Sequence, residues 1–300
     1  MVIVYRRRCG LSRCVTRYMV AMAAADLLVM IFDLTLMHIP IVFPYNFRFM
    51  LLLPVCNIHS ALIYAVRDAS VWFTVAFTFD RFVAICCQKL RTKYCTEKTA
   101  AMVLGTLTAF VCLKDTTWYF MEMKVYRLGK NPGFCGVENG VTYSVVWGTI
   151  ELLHYIFTPF IPFFLILFLN ALTVRNILVV SRARRRLRSQ VHSGSSKDIE
   201  MESRRKSIVL LFVISGNFIF LWTMFTINVM LRRLFWLGIR VNNTNVVVHE
   251  LGFMLQLLSC CTNTITYSMT QDNFRKQLKG MAKYPFSRIA GIIKPKNTQK

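Results

Sequence analysis

An all-α bundle of membrane-spanning helices is the fold this sequence predicts, and three observations predict it. First, 55 % of the 300 residues are hydrophobic and they come in blocks rather than singly. A bilayer core is about 30 Å thick and takes about 20 helical residues to cross. Six blocks are long enough, at 18–43, 53–87, 99–121, 144–174, 207–231 and 246–270. Second, the 37 Lys and Arg are unevenly placed: 27 fall in segments 6–17, 88–98, 175–206 and 271–300, and 7 in the alternate connections 44–52, 122–143 and 232–246. Third, the short runs of alternating polarity that mark a membrane β-barrel are absent. Helices satisfy their own backbone polar groups in lipid, which makes them the natural way to cross.

A net charge of +23 would suggest nucleic acid in a soluble protein, but its placement here points elsewhere. The basic side of a membrane protein is expected in the cytoplasm. Its Lys and Arg are expected against anionic lipid headgroups, with no nucleic acid as partner. Residues 1–8 (Met-Val-Ile-Val-Tyr-Arg-Arg-Arg) are too short an apolar stretch for a signal peptide. They read as the last turn and cytoplasmic flank of a helix whose earlier turns are largely missing. Six spans then keep both termini of this chain cytoplasmic. We expect one membrane domain over 1–284 and a basic tail over 285–300.

The elements follow in order. The block 53–87 is too long for one perpendicular crossing, so it is expected to tilt and protrude. Arg81 closes it at the basic edge, and Arg67 lies roughly 21 Å higher on nearly the same face. Cys56 lies roughly 37 Å from Arg81, at the outer lip, where the environment is oxidising. The next outer connection offers one cysteine, Cys135. A Cys56–Cys135 bond would close a loop of about 80 residues and contribute about 4.5 kcal/mol by chain entropy. The connection 122–143, with Gly129, Pro132, Gly133 and Gly140, reads as loop. The connection 175–206 reads as two helix extensions around a flexible Ser193-Gly194-Ser195-Ser196. From Asp272 to about Pro285, Phe274, Leu278 and Met281 share one face among lysines and arginines, as in a helix lying along the membrane surface.

Charges inside lipid cost roughly 2.5–3.5 kcal/mol each on insertion scales, so they face the interior and find partners. Asp26 sits halfway along its block, Arg67 and Asp68 in the upper half of theirs, and Asp80-Arg81 at the bottom of the same one.

At these residues the chain resembles the rhodopsin-like (class A) G-protein-coupled receptors. Ala23-Ala24-Ala25-Asp26-Leu27-Leu28 matches their second helix. Cys56 opens and Asp80-Arg81-Phe82 closes the third, and Pro162 matches the mid-helix proline of the fifth. Phe218 and Trp222 match the sixth. Asn263-Thr264-Ile265-Thr266-Tyr267, followed by Phe274-Arg275, matches the seventh. Ser70-Val71-Trp72-Phe73-Thr74-Val75 further resembles the probable G-protein-coupled receptor 139 group, which is linked to aromatic amino acids and peptide-like ligands. Departures accompany the matches. Phe82 replaces a tyrosine, Met224 and Thr264 replace prolines, Asn170 replaces a tyrosine, and the tryptophan usual near Thr108 is missing.

The resemblance implies a multi-pass plasma-membrane receptor that binds an extracellular small-molecule or peptide ligand. It further implies activation of a heterotrimeric G protein by outward movement of the sixth helix. Asp80, Arg81, Phe218, Trp222, Asn263 and Tyr267 would form the switch and coupling end. Asp26, Ser70, Ser259 and Asn263 match a sodium site, with a water-bridged polar network as the alternative; oxygen ligands suit a hard cation. No other cofactor is expected. Asp33, Tyr64, Arg67, Asp68, Glu151, His154, Asn228, Glu250 and Gln256 are candidate pocket linings above Trp222. Arg67 either meets a ligand carboxylate or pairs internally with Asp33, Asp68 or Glu151. Asp68 is the weakest of these partners, because adjacent helical residues do not face each other.

Two other readings compete. A transporter or channel is expected to show internal repeats and Gly- or Pro-interrupted helices, and neither is visible. A receptor-derived fragment without signalling activity is the other alternative, kept open by the missing first helix. No enzyme chemistry appears, since the five histidines have no metal-ligand spacing and no hydrolase motif is present. Asn242-Asn243-Thr244 is a glycosylation sequon in an outer connection.

Overall fold

The computed structural model describes residues 12–43, 46, 53–120, 123–126, 134–137, 144–188, 196–236, 238–239 and 245–270. The expected surface helix, the tail and the sequon lie outside these residues. Five of the described helices are long and apolar enough to cross a membrane: Arg13–His38, Val55–Cys86, Glu97–Phe120, Val145–Val180 and Ile208–Phe235. The sixth expected block contains a shorter apolar stretch, Val247–Thr262.

Helix α1, Arg13–Val29, opens where the Ser12 hydroxyl accepts the Val15 backbone N–H at 3.4 Å. Such a cap satisfies one of the amides that no earlier carbonyl can reach. The helix continues as a wider, π-wound stretch over Met30–His38 and then a turn over Ile39–Val42 with Pro40 in it. Helix α2, Leu53–Cys86, is 34 residues long. At 1.5 Å per residue it measures about 51 Å, well beyond the bilayer core. It packs against α1 and against four later helices, so it is the central post of the bundle. A short helix α3, Gln88–Tyr94, links it to α4, Glu97–Asp115, whose Thr96 cap accepts the Thr99 N–H at 3.2 Å.

The connection read as loop contains a hairpin. Strands β1, Met123–Tyr126, and β2, Phe134–Val137, pair antiparallel with Val125 opposite Cys135. Four-residue strands are too short for alternation to declare them in a glycine-rich segment. The hairpin's contact with α2 ties it to the bundle.

Helices α5, Val145–Tyr155, and α6, Ile161–Arg188, form one span broken by a wide turn at Ile156–Phe160. Thr158 is extended there (φ −146°, ψ 113°) and precedes Pro159. A residue before proline is pushed out of the α region by the proline ring. The proline that interrupts the span is therefore Pro159. Pro162, expected in that role, lies in the first turn of α6, where its missing N–H costs nothing.

Helix α7, Ser196–Trp236, and helix α8, Val246–Thr270, form the tightest pair. A Cβ on Gly252 would sit 3.0 Å from the Phe225 backbone nitrogen and 3.1 Å from its Cα, so a larger residue would have to push the two backbones slightly apart. Small residues serve the same purpose at membrane helix interfaces generally. The buried side chains form one cluster around Tyr18, Met22, Phe77 and Ile214 and a second around Val29, Phe218, Trp222, Phe253 and Leu257. Leu113, Phe220 and Val145 are more than two-thirds exposed, as apolar residues facing lipid would be.

Candidate functional site

A cavity of about 320 Å³ opens between α1, α2, α5, α7 and α8, at the end of the bundle away from Asp80. Its volume falls within the range of small-ligand sites. The π-wound end of α1 delivers Asp33 and His38 to it, and such windings place side chains that a regular helix would turn away. Asp33 is fully buried and pairs with Arg67 Nη2 at 2.5 Å and Nε at 2.7 Å. The His38 ring bonds the Asp33 carbonyl at 2.9 Å and stacks on Phe253 at 4.0 Å between centroids. From α7 come Phe225, Val229, Arg232 and Arg233, and from α8 His249, Glu250 and Phe253. Arg233 pairs with Glu151 at 2.5 Å. Arg232 and Glu250 form no ion pair with a described residue, so the cavity offers one unmatched cation and one unmatched carboxylate among its described lining.

An aromatic ladder descends from the cavity. Phe225 lines it and meets Trp222 edge-on at 6.2 Å, and Trp222 meets Phe218 at 5.3 Å. Beside the ladder, Trp222 Nε1 donates to Ser259 Oγ at 2.9 Å, and Ser70 Oγ donates to Asp26 Oδ1 at 2.7 Å. The side chains of Asn263 and Tyr267 lie outside those described.

At the opposite end, Arg81 donates to its neighbour Asp80 through both Nε, at 3.1 Å, and Nη2. Cys14 Sγ donates to Asp80 Oδ1 at 3.0 Å, and Cys95 Sγ reaches the Asp80 carbonyl at 3.7 Å. Burial, reinforced by the Asp80 carboxylate, pushes the Cys95 thiol up to about 11 and raises the Tyr94 phenol as well. Cys95 is therefore a thiol at neutral pH and can serve as that donor.

The profile of the 7 transmembrane receptor (rhodopsin family) matches residues 1–267. The chain belongs to the rhodopsin family of seven-transmembrane receptors. It is 23 % identical over 254 residues to "Cysteinyl leukotriene receptor 1" of Cavia porcellus, covering 81 % of this chain and 68 % of that one. It is 25 % identical over 269 residues to "Lysophosphatidic acid receptor 6" of Mus musculus, covering 88 % and 73 %. It is a membrane receptor that signals through G proteins in response to an extracellular ligand, and it is not an enzyme.

The receptor's candidate pocket residues divide in two. Asp33, Tyr64, Arg67 and Glu250 line the cavity. Asp68, Glu151, His154, Asn228 and Gln256 lie outside its lining. Asp68 and His154 turn away from it into a second ionic cluster with Lys114 and Asp115. Asn228 and Gln256 are buried with no hydrogen-bond partner for either amide. Arg67 takes Asp33 as its partner, one of the two readings the sequence left open. Sequence reasoning missed His38, His59, Tyr155, Arg232, Arg233 and His249 as lining. For His38, His59 and His249, a polar side chain near the outer end of an apolar block was the available signal. Cys56 lines the cavity and is disulfide-bonded, while the Cys135 side chain lies outside those described. Cys14, Cys86, Cys87, Cys95, Cys112, Cys260 and Cys261 are free thiols.

Proposed function

We propose that the receptor takes its extracellular ligand into the cavity above Trp222. Binding then moves α7, the sixth helix of the family, outward at the Asp80–Arg81 end, where the α subunit of a heterotrimeric G protein docks. The continuity of the aromatic ladder carries this reading: Phe225 touches both the cavity and Trp222, and Trp222 touches Phe218. A ligand that favours one of two arrangements of these rings biases the whole helix, because only differential contacts shift such an equilibrium. The basic end then faces the cytoplasm, its lysines and arginines against anionic lipid, with the termini of this chain on that side. Cys56 and Cys135 form the bond that anchors the hairpin beside the cavity mouth.

The ligand we propose is a small zwitterion with an aromatic group, such as an aromatic amino acid or a short peptide with a free terminus. Its acid meets Arg232 and its amine meets Glu250, the two unmatched charges, and its ring meets Phe225 and Phe253. This agrees with the resemblance to the receptor 139 group. The names of the leukotriene and lysophosphatidic acid relatives favour a second reading, an anionic lipid held by Arg232 alone.

Sodium is proposed as an allosteric ligand at Asp26, Ser70, Ser259 and Asn263. The donor set of one carboxylate and hydroxyl oxygens fits a hard cation.

The deciding measurement is agonist-stimulated nucleotide exchange on G protein in membranes, with candidate ligands in acid, amide and N-acetyl forms. Arg81→Ala at equal surface expression is expected to lower exchange, and unchanged exchange sinks the switch. Loss of potency in both the amide and the N-acetyl forms supports the zwitterion. Loss in the amide alone supports the lipid-type acid, and equal potency of acid and amide removes the Arg232 contact. Sodium is expected to shift agonist affinity in the wild type and not in Asp26→Asn.

A further inference from the structure

Four ionisable side chains converge where α2, α4 and α5 meet, next to the cavity but outside its lining. Lys114 Nζ lies 2.6 Å from Asp68 Oδ2, bonds to Asp115 Oδ1, and lies 3.1 Å from His154 Nδ1. An ammonium has donors and no acceptor, so Nδ1 must accept. The imidazole proton is then on Nε2, which faces Asp68 Oδ1 at 3.8 Å. Three acceptor atoms from three helices therefore surround one cation. Trp118 Nε1 donates to Asp115 Oδ1 at 3.3 Å, the kind of outer partner that orients a metal-binding carboxylate. The His154 ring is held edge-on against Tyr64 at 5.0 Å and Trp118 at 5.2 Å.

The charge is unbalanced. With both carboxyls ionised, two carboxylates would face one ammonium and a neutral imidazole, an excess of one negative charge that a shared proton or a metal ion has to balance. Asp68 and Asp115 are each 1 % exposed, and Asp68 Oδ1 and Asp115 Oδ2 have no hydrogen-bond partner. An uncompensated charge at this depth is costly. A divalent ion in place of the ammonium would meet the same three donors and bring the formal charge to zero. Two carboxylate oxygens and one imidazole suit a metal of the zinc type better than magnesium or calcium, which take oxygen alone. The donor atoms lie within 4.8 Å of one another, so modest side-chain movement closes them around an ion. Three protein ligands leave a fourth position for water. Lys114 is the one member with a way out: its side chain is 24 % exposed, against 1 % to 8 % for the other three.

We infer that Asp68, Asp115 and His154 form a binding site for a divalent transition metal, with Lys114 as a built-in competitor whose ammonium occupies the metal's place. Exchange moves one cation out and another in. Any proton shared between the two carboxyls leaves with the ammonium, as protons do when a metal takes acidic ligands. Tyr64 belongs to the cavity wall and stacks on Trp118 at 3.9 Å, so the ion would brace one side of the ligand cavity.

The test uses the full chain in lipid nanodiscs, titrated with ZnCl2 and, in parallel, MgCl2, reading melting temperature. It is independent of any ligand or G-protein assay. Zinc at micromolar concentration is expected to raise the melting temperature of the wild type, and magnesium is not. Lys114→Met is expected to tighten zinc binding about 10-fold, the scale on which a group touching the ligands alters metal affinity. Adding Asp115→Asn to Lys114→Met is expected to abolish the gain. A metal-free melt identifies any variant that fails to fold. In that event Co2+ in the wild type is expected to show the visible absorption of a tetrahedral site. Zinc and magnesium acting alike, an unchanged affinity in Lys114→Met, or a gain that survives Asp115→Asn would each overturn the inference. So would a folded wild type with neither a zinc shift nor the cobalt spectrum.

Discussion

Arg67 and Arg81 stand fourteen residues apart on α2, about 21 Å along the helix, yet Arg67 pairs with Asp33 across to α1 whereas Arg81 pairs with its own neighbour Asp80. The first pair joins two elements. Its carboxylate is fully buried, in the π-wound stretch that carries His38 and faces the cavity. The second lies within one helix, so giving it up separates no two helices. Both pairs are buried and short, and distance alone would rank them together. Their connectivity divides them: Arg67 is placed to hold the wall of the cavity, and Arg81 to change partners.

That contrast can be broken by experiment. The largest effect is expected from Asp33→Ala. It leaves Arg67 without its partner and is expected to destabilise the receptor by about 3 kcal/mol in a detergent unfolding assay. A loss near zero would mean that Arg67 is solvated by the cavity and the pair holds nothing. Asp80→Asn keeps an oxygen acceptor but removes the charge that holds Arg81. Ligand-free nucleotide exchange is expected to rise about 5-fold, the low end of ordinary coupling between states. Asp33→Asn serves as the matched control and is expected to leave ligand-free exchange at the wild-type level while lowering agonist potency. Equal basal rises in both would erase the division. Trp222→Phe keeps the aromatic ladder and removes the bond to Ser259, at a cost of about 1 kcal/mol by thermal melting. Least is expected of Arg17→Ala. Its pair with Glu97 is half exposed on the arginine side and should contribute less than about 1 kcal/mol, vanishing in high salt.

Much of the fold was legible in the sequence because the bilayer reports on composition directly. The block 246–270 coincides with α8, and Arg67 and Arg81 fall on one long helix as spacing implied. The limit on adjacent residues held for Arg67 and Asp68, which turn to different partners. It failed for Asp80-Arg81 and Lys114-Asp115, because a long flexible side chain can bend back to a neighbour that a rigid one could not reach. The cluster around Lys114 had a visible signal, a Lys-Asp dyad inside an apolar block, where an unpaired charge would be costly. What could not be seen was where that dyad points, since hydropathy marks which residues are in the membrane and is silent on the rotation of each helix. Pro159 and Pro162 were indistinguishable for the same reason: both sit in one apolar run, and only the path of the chain shows which one breaks it.

By itself, then, the sequence determined the class of molecule: apolar blocks of crossing length, a basic side and an ordered set of receptor motifs. These depend on residues one at a time or on near neighbours, and transfer into lipid reads them directly. The tertiary structure alone decided the partners. Asp33 rather than Asp68 for Arg67, Lys114 for Asp68, Arg233 for Glu151, and the cavity left between them all depend on how six separate helices turn toward one another. A buried charge must be matched, but several carboxylates were near enough in sequence terms to match it. Only packing at van der Waals distance selects one of them.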